Sequence, residues 1–170
     1  FRIFFPLGLA GSLIGVSHWL WYFSGITESY SCIYHGLMQI QGFELSFATG
    51  FIMTALPRFL ETRRATPLEV FTGVFLAILG VVCLYQEARA LAQVTFILLV
   101  LNLAIFAVRR YLTRRDELPS TFYLIFFGVC HALLGGILIL WPIAGFVKLG
   151  HKMVEQGMML CFILAIGPYL

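Results

Sequence analysis

Long apolar runs that carry almost no charge dominate this sequence, and short polar breaks separate them. Two examples are FLAILGVVCL at 75–84 and FILLVLNLAIFAV at 96–108. A helix needs about 20 such residues to cross a bilayer core of about 30 Å. The runs lack the strict alternation that a transmembrane β-barrel requires. The sequence therefore predicts transmembrane helices, with spans at about 3–23, 37–56, 68–85, 90–108, 122–146 and 153–170.

Composition agrees with a lipid environment. Hydrophobic residues make up 61% of the 170 residues and charged residues 11%, whereas a soluble domain has about 25% charged residues. We expect one all-α, polytopic transmembrane helix bundle over 1–170, with about six helices and the lipid bilayer as its main partner. The chain begins without methionine and stops inside an apolar run, so we expect a fragment of a longer protein and a larger bundle.

The positions of the cations predict the orientation. With the N-terminus in the cytoplasm, eight arginines fall on the cytoplasmic side and three cations on the opposite side, as the positive-inside rule requires. The eight are Arg2, Arg58, Arg63, Arg64, Arg109, Arg110, Arg114 and Arg115. They are too dispersed along the chain to indicate a nucleic-acid partner.

A weak internal repeat links the two ends of the chain. GFIMTALPRFL, near the end of the second span, resembles CFILAIGPYL at the end of the sixth. Histidines accompany both copies: His18 and His35 in the first, His131 and His151 in the second. This pattern predicts a four-helix unit repeated with preserved orientation, of which the chain holds about one and a half.

The four histidines lie on the first, second, fifth and sixth spans. His35 and His151 stand at the outer starts of their spans, and His18 lies about 15 residues into the first. His131 is nearer the middle of the membrane, where an ionisable residue is a functional candidate because its burial is costly.

Small residues share the faces of two of these histidines. At 100° per residue, Gly8, Gly11 and Gly15 lie on the face of His18, while Gly128, Ala132 and Gly135 lie on that of His131. A third stripe on the second span is predicted to face the bundle interior, with Phe47 and Phe51 pointing away. It contains His35, Met38, Gln39, Gly42, Ser46, Thr49 and Met53.

Imidazole nitrogen suits haem iron and copper, thioether sulfur suits both as well, and a flat macrocycle between helices needs glycine-lined space. We therefore predict a haem site and, as a second candidate, a copper site. Cofactor ligands are drawn from His18, His35, His131, His151 and Met38, and metal ligands from His35, His151 and Met38. Glu155 and Gln39 are the predicted hydrogen-bond partners that orient them. The alternative is that the glycines serve helix packing and the histidines are polar interface residues.

Three segments resemble the NnrS family of bacterial inner-membrane proteins. They are FRIFFPLG at the start, YHGLMQIQGFELSFATGFIMTALPRFL from Tyr34 to Leu60, and LGHKMVEQGMMLCFILAIGPYL at the end. The most specific block is GF-x-x-TA-x-P, which here is Gly50, Phe51, Thr54, Ala55 and Pro57.

The resemblance implies a protein of about twice as many helices that carries haem and copper and is linked to nitric oxide metabolism and tolerance of nitrosative stress. His35 matches the first histidine of the family's HxHE-type motif, and His151 matches a histidine that opens a later span. Leu37 and Met38 replace the second histidine and the glutamate of that motif. This departure implies either a different ligand set that includes Met38 or a lost site.

Two other functions stay open at this point. Glu44 lies inside the second span, on the side opposite His35. A carboxylate in this position and an internal repeat both fit a transporter or channel module. We expect this carboxylate to pair with another helix. A chain without any enzyme motif also fits a structural subunit of a respiratory or photosynthetic assembly, with other membrane subunits or further copies of itself as partners. Any redox chemistry would belong to the bound haem or copper.

Overall fold

The computed structural model describes residues 2–169, which form helices and contain no strand. The predicted all-α fold is confirmed for this part of the chain. Six helical rods follow one another along it: α1 Phe4–Phe23; α2 Cys32–Leu37 continued by Met38–Glu44 and Leu45–Phe59; α3 Pro67–Tyr85; α4 Arg89–Leu112; α5 Ser120–Ile139; and α6 Ala144–Lys152 continued by Met153–Met158, Met159–Ile166 and Gly167–Tyr169.

Five of these rods, α1 and α3 to α6, are long and apolar enough to cross a membrane. Large apolar side chains such as Phe23, Leu68 and Leu112 are 74–79% exposed on the outside of the bundle, where lipid would cover them. The rod α2 is more polar, because His35, Gln39, Gln41 and Glu44 interrupt its apolar sequence. It lies inside the bundle, where most residues of Leu45–Phe59 and several of Met38–Glu44 are buried.

The stripe predicted on α2 does face the interior. Met38, Ser46 and Thr49 are completely enclosed, and Gly42 and Met53 are also buried. His35 and Gln39 are half-buried at its outer end. The helix periodicity of the sequence thus identified part of the buried surface of α2, although Leu45, Ile52 and Leu56, outside the stripe, are buried as well.

Two rods widen into π-helix at corresponding places. In α2 the π-helical stretch is Met38–Glu44, and in α6 it is Met153–Met158. A π-helical turn holds an extra residue and rotates the side chains that follow, and such turns are frequent at functional sites. The sequence did not predict either one.

Glycines bring the backbones of α1 and α2 together. A Cβ atom placed on Gly11 would lie 3.1 Å from the carbonyl carbon of Gly42, and one on Gly8 would lie 2.7 Å from the ring of Phe47. A Cβ on Gly15 would lie 2.9 Å from the Cβ of Met38. Only residues without a side chain allow this approach.

The same arrangement recurs between α5 and α6. A Cβ on Gly135 would lie 2.8 Å from the carbonyl oxygen of Gly150, and one on Gly128 would lie 2.6 Å from the ring of Phe162. Each α5 glycine lies 120 positions after its α1 counterpart, Gly8 or Gly15. The two helix pairs are thus two copies of one packing unit, which supports the internal repeat.

At the end predicted to be cytoplasmic, a buried arginine joins α3 and α4. Arg110 donates to Glu69 Oε2 at 2.7 Å and to the carbonyl oxygens of Arg63 and Arg64 at 2.9 and 3.2 Å. Glu69 also closes a capping box with Thr66 at the start of α3. Since Arg110 is only 8% exposed, these partners compensate for the cost of burying its charge.

Several helix ends differ from the predicted span ends. The fifth helix ends at Ile139 rather than 146, and the sixth begins at Ala144 rather than 153. Pro142 explains the break, because proline has no N–H to donate and disfavours helix in the residue before it. His151 consequently lies two turns inside α6 and not at its start. The second helix begins at Cys32 rather than 37, because Ser31 caps it through the N–H of Tyr34.

We predict that Gly11→Val destabilises the protein by about 1–3 kcal/mol, the usual cost of overpacking, because the new side chain would strike the backbone of Gly42. Ala10→Val is the matched control, since Ala10 is the exposed neighbour on the same helix. Thermal unfolding in detergent measures both variants. Equal melting temperatures for the two would contradict the close approach.

Candidate functional site

His35 is held by the backbone of the neighbouring helix. Its Nδ1 atom lies 2.9 Å from the carbonyl oxygen of Gly15. A carbonyl can only accept, so Nδ1 carries the proton and Nε2 of the neutral ring keeps its lone pair. This is the state in which a histidine binds a metal.

His18 lies beside His35 but uses its nitrogen differently. The N–H of Ser31 donates to His18 Nε2 at 3.2 Å. The ring centroid of His18 is 4.6 Å from that of Tyr34 and 5.5 Å from that of Tyr30, which in turn is 6.4 Å from His35. The two histidines and two tyrosines form an outer aromatic cluster, in which a metal at His18 Nε2 would have to displace Ser31.

His131 packs on the second π-helical stretch. Its Nδ1 atom lies 2.8 Å from the carbonyl oxygen of Phe127, one turn earlier on α5, so Nε2 is again left as the free acceptor. The ring fills the space next to Gly157, where an added Cβ would overlap it. His131 is thus the counterpart of Gly11, which lies 120 positions earlier and faces Gly42. The pairing of His131 with His18 in the repeat was wrong.

His151 is oriented by a carboxylate on its own helix. Its Nδ1 atom lies 3.1 Å from Glu155 Oε1, four residues later. A carboxylate that accepts from one imidazole nitrogen fixes the ring and raises the basicity of the other. The structure therefore has the hydrogen bond that the helical spacing indicated, while the metal-binding role of His151 stays a prediction.

Met38 and Gln39 have structural contacts in the observed fold. The side chain of Met38 is completely enclosed in an apolar cluster with Cys83 and Leu84. Gln39 exchanges two hydrogen bonds of 3.1 Å with Ser12 on α1, one to its hydroxyl and one to its carbonyl oxygen. Their predicted roles as ligand and orienting partner are not tested by these contacts.

The predicted ligands fall into two separate pairs. His18 and His35 lie on α1 and α2, whereas His131 and His151 lie on α5 and α6. Within residues 2–169, no three side chains of His, Cys, Asp or Glu come close enough together to hold a metal ion. Each donor nitrogen fits the role of a single axial ligand to haem or of one ligand to copper. A site built from residues 2–169 would contain at most two of these nitrogens.

The contacts of Glu44 differ from those that the sequence predicted. It was expected to pair with another helix, but one carboxylate oxygen is buried without a hydrogen-bond partner among the described residues. The side chain lines a cavity of about 250 Å³ between α1, α2 and α6. A charged residue inside an apolar run was the available signal, but the sequence could not show that no partner reaches it.

We predict that Gln39→Leu lowers the free energy of unfolding by about 1–2 kcal/mol, because it leaves the hydroxyl and carbonyl of Ser12 without their partners. Chemical or thermal unfolding in detergent measures the change. Ser17→Ala, at a half-buried serine on the same helix, is the control and should have little effect. A Gln39→Leu protein as stable as the wild type would show that this contact does not hold α1 to α2.

Comparison with known proteins identifies one family. The family model described as NnrS protein matches residues 1–168, so the resemblance seen in the sequence is confirmed over essentially the whole chain. No curated protein and no solved structure matches this chain.

Proposed function

From the premise that the chain belongs to the NnrS family, we propose that it is a haem- and copper-binding protein of the bacterial inner membrane, with a role in nitric oxide metabolism or tolerance of nitrosative stress. Family membership supports the link with nitric oxide. The observation that carries the cofactor proposal is that His35, His131 and His151 each form a hydrogen bond through Nδ1, while Nε2 has no hydrogen-bond partner within residues 2–169.

Hydrogen bonds to neighbouring residues orient these histidine rings for metal binding. In each case a hydrogen bond from Nδ1–H fixes the ring orientation and the tautomer before any metal arrives, so little entropy would be lost on ligation. The acceptors are the carbonyls of Gly15 and Phe127 and the carboxylate of Glu155.

We assign the histidines to two kinds of cofactor. On α6, His151 with Glu155 resembles the carboxylate–histidine arrangement found next to metal ions, and we assign it to copper. The proposed haem ligands are His35 on α2 and His131 on α5, which belong to different pairs and would each ligate a haem singly. His18 and Met38 are further candidates, but His18 would first have to lose the hydrogen bond from Ser31 and Met38 would have to leave its apolar cluster. Bound haem iron or copper would supply the vacant coordination position and the redox change that nitric oxide chemistry uses.

We predict that the full-length protein, purified in detergent, shows a Soret band and contains iron and copper. His35→Ala and His131→Ala should each reduce or shift the Soret band, because each removes a free Nε2 donor. His151→Ala should reduce the copper content and leave the Soret band in place. Absorption spectra and metal analysis measure both properties.

The control is Gln156→Ala, an exposed neighbour of His151 on α6, which should keep both cofactors. A wild-type protein that is folded by circular dichroism but colourless and free of iron and copper would contradict the proposal. If all three histidine variants had the same spectrum and metal content as the wild type, the assignment of the ligands would be contradicted.

The proposed orientation places the N-terminus in the cytoplasm, and Cys32 tests it. This thiol is exposed at the start of α2, while Cys83 is buried. A membrane-impermeant maleimide should label Cys32 in cells whose outer membrane alone has been opened. In a Cys32→Ser background, Thr113→Cys at the exposed end of α4 should react only after the inner membrane is opened as well. The reverse pattern would place the N-terminus outside.

A further inference from the structure

A groove on the membrane face of the bundle is built almost entirely from aromatic and aliphatic side chains. It has a volume of about 250 Å³ and lies where α1 and α2 meet the second half of α6. Phe5 and Phe47 stack in its wall with ring centroids 4.4 Å apart, and Phe43 meets Phe47 edge-on at 4.8 Å. Cavities of about 150 Å³ already accept a benzene ring, so this groove has room for a substituted one.

Glu44 is the one charged side chain among the described residues that line this groove. One of its oxygens is buried, and no donor within residues 2–169 reaches it. A polar group in such a place normally has a partner, because leaving it unpaired is costly. An unpaired oxygen at this position favours a bound molecule that supplies the donor.

Both π-helical stretches end at the groove. Glu44 is the last residue of the first and Met158 the last of the second, and both line it. The two halves of the repeat also contribute matching positions 115 residues apart: Phe47 with Phe162, and Phe51 with Ile166. Matching positions of the two packing units thus line the groove, and Glu44 is the exception in chemistry, since Met159 occupies its matching position.

We propose that this groove binds a lipid-soluble quinol, a flat aromatic ring with hydroxyl donors and an apolar tail. One hydroxyl donates to Glu44, the ring lies against Phe43, Phe47 and Phe162, and the tail leaves toward the lipid through the open side. A fatty acyl chain would fit the apolar walls but would leave the carboxyl unpaired. The groove does not involve the histidines, so this proposal goes beyond the proposed function and does not depend on it.

The test uses full-length protein in phosphatidylcholine nanodiscs and decylubiquinol, kept reduced, as the probe. Equilibrium dialysis or calorimetry measures its dissociation constant. Glu44→Leu should weaken binding about tenfold or more, as expected for the loss of a hydrogen bond to a carboxylate. This variant should still fold, because it removes a buried oxygen that has no partner among the described residues. The di-O-methylated probe, which has no donor, should bind the wild type no better than decylubiquinol binds Glu44→Leu.

A second pair of variants tests the location. Ile163→Trp should fill the groove and abolish binding, whereas Ile105→Trp on α4 should not, although both isoleucines are 52% exposed and only Ile163 lines the groove. Failure of the wild type to bind the quinol would overturn the proposal. So would equal affinities for wild type and Glu44→Leu, or for quinol and its methylated form. Equal loss of binding in both tryptophan variants would overturn the location.

Discussion

The close approach of helix backbones at glycine is the constraint on which this structure depends. Gly11 and Gly42 bring α1 against α2, and Gly135 and Gly150 bring α5 against α6. In lipid there is little hydrophobic force between helices, so packing of this kind has to hold them together. The same absence of side chains lets His35 reach the carbonyl of Gly15. Helix packing and histidine orientation therefore have one cause.

Much of the fold could be predicted from the sequence, because apolar length and the 100° periodicity of a helix are local properties. They identified the rods and the buried stripe on α2. The break at Pro142 was also readable, but the apolar residues on both sides of it concealed the boundary. The π-helical stretches could not be predicted, because a widened turn is stabilised by tertiary contacts such as the one between His131 and Gly157.

The sequence predicted the residue types of the candidate site but not which of these residues lie together. Histidine positions and the spacing of His151 and Glu155 follow from the sequence. That the histidines divide between two helix pairs depends on the packing, and so does the equivalence of His131 with Gly11. Glu44 makes the same point, because whether an intramembrane carboxyl has a partner is decided by helices distant in sequence. Its groove lies between the two halves, where a lipid-soluble molecule could reach both.

The central claim is that neutral histidines, fixed through Nδ1, bind a metal through Nε2. Pulsed electron paramagnetic resonance on the full-length protein labelled with ¹⁵N-histidine tests this most directly. We expect couplings from a directly bound histidine nitrogen and from a remote, protonated one, and for the copper centre we expect the remote coupling to change in Glu155→Gln. A paramagnetic iron or copper centre without any histidine coupling would contradict the account.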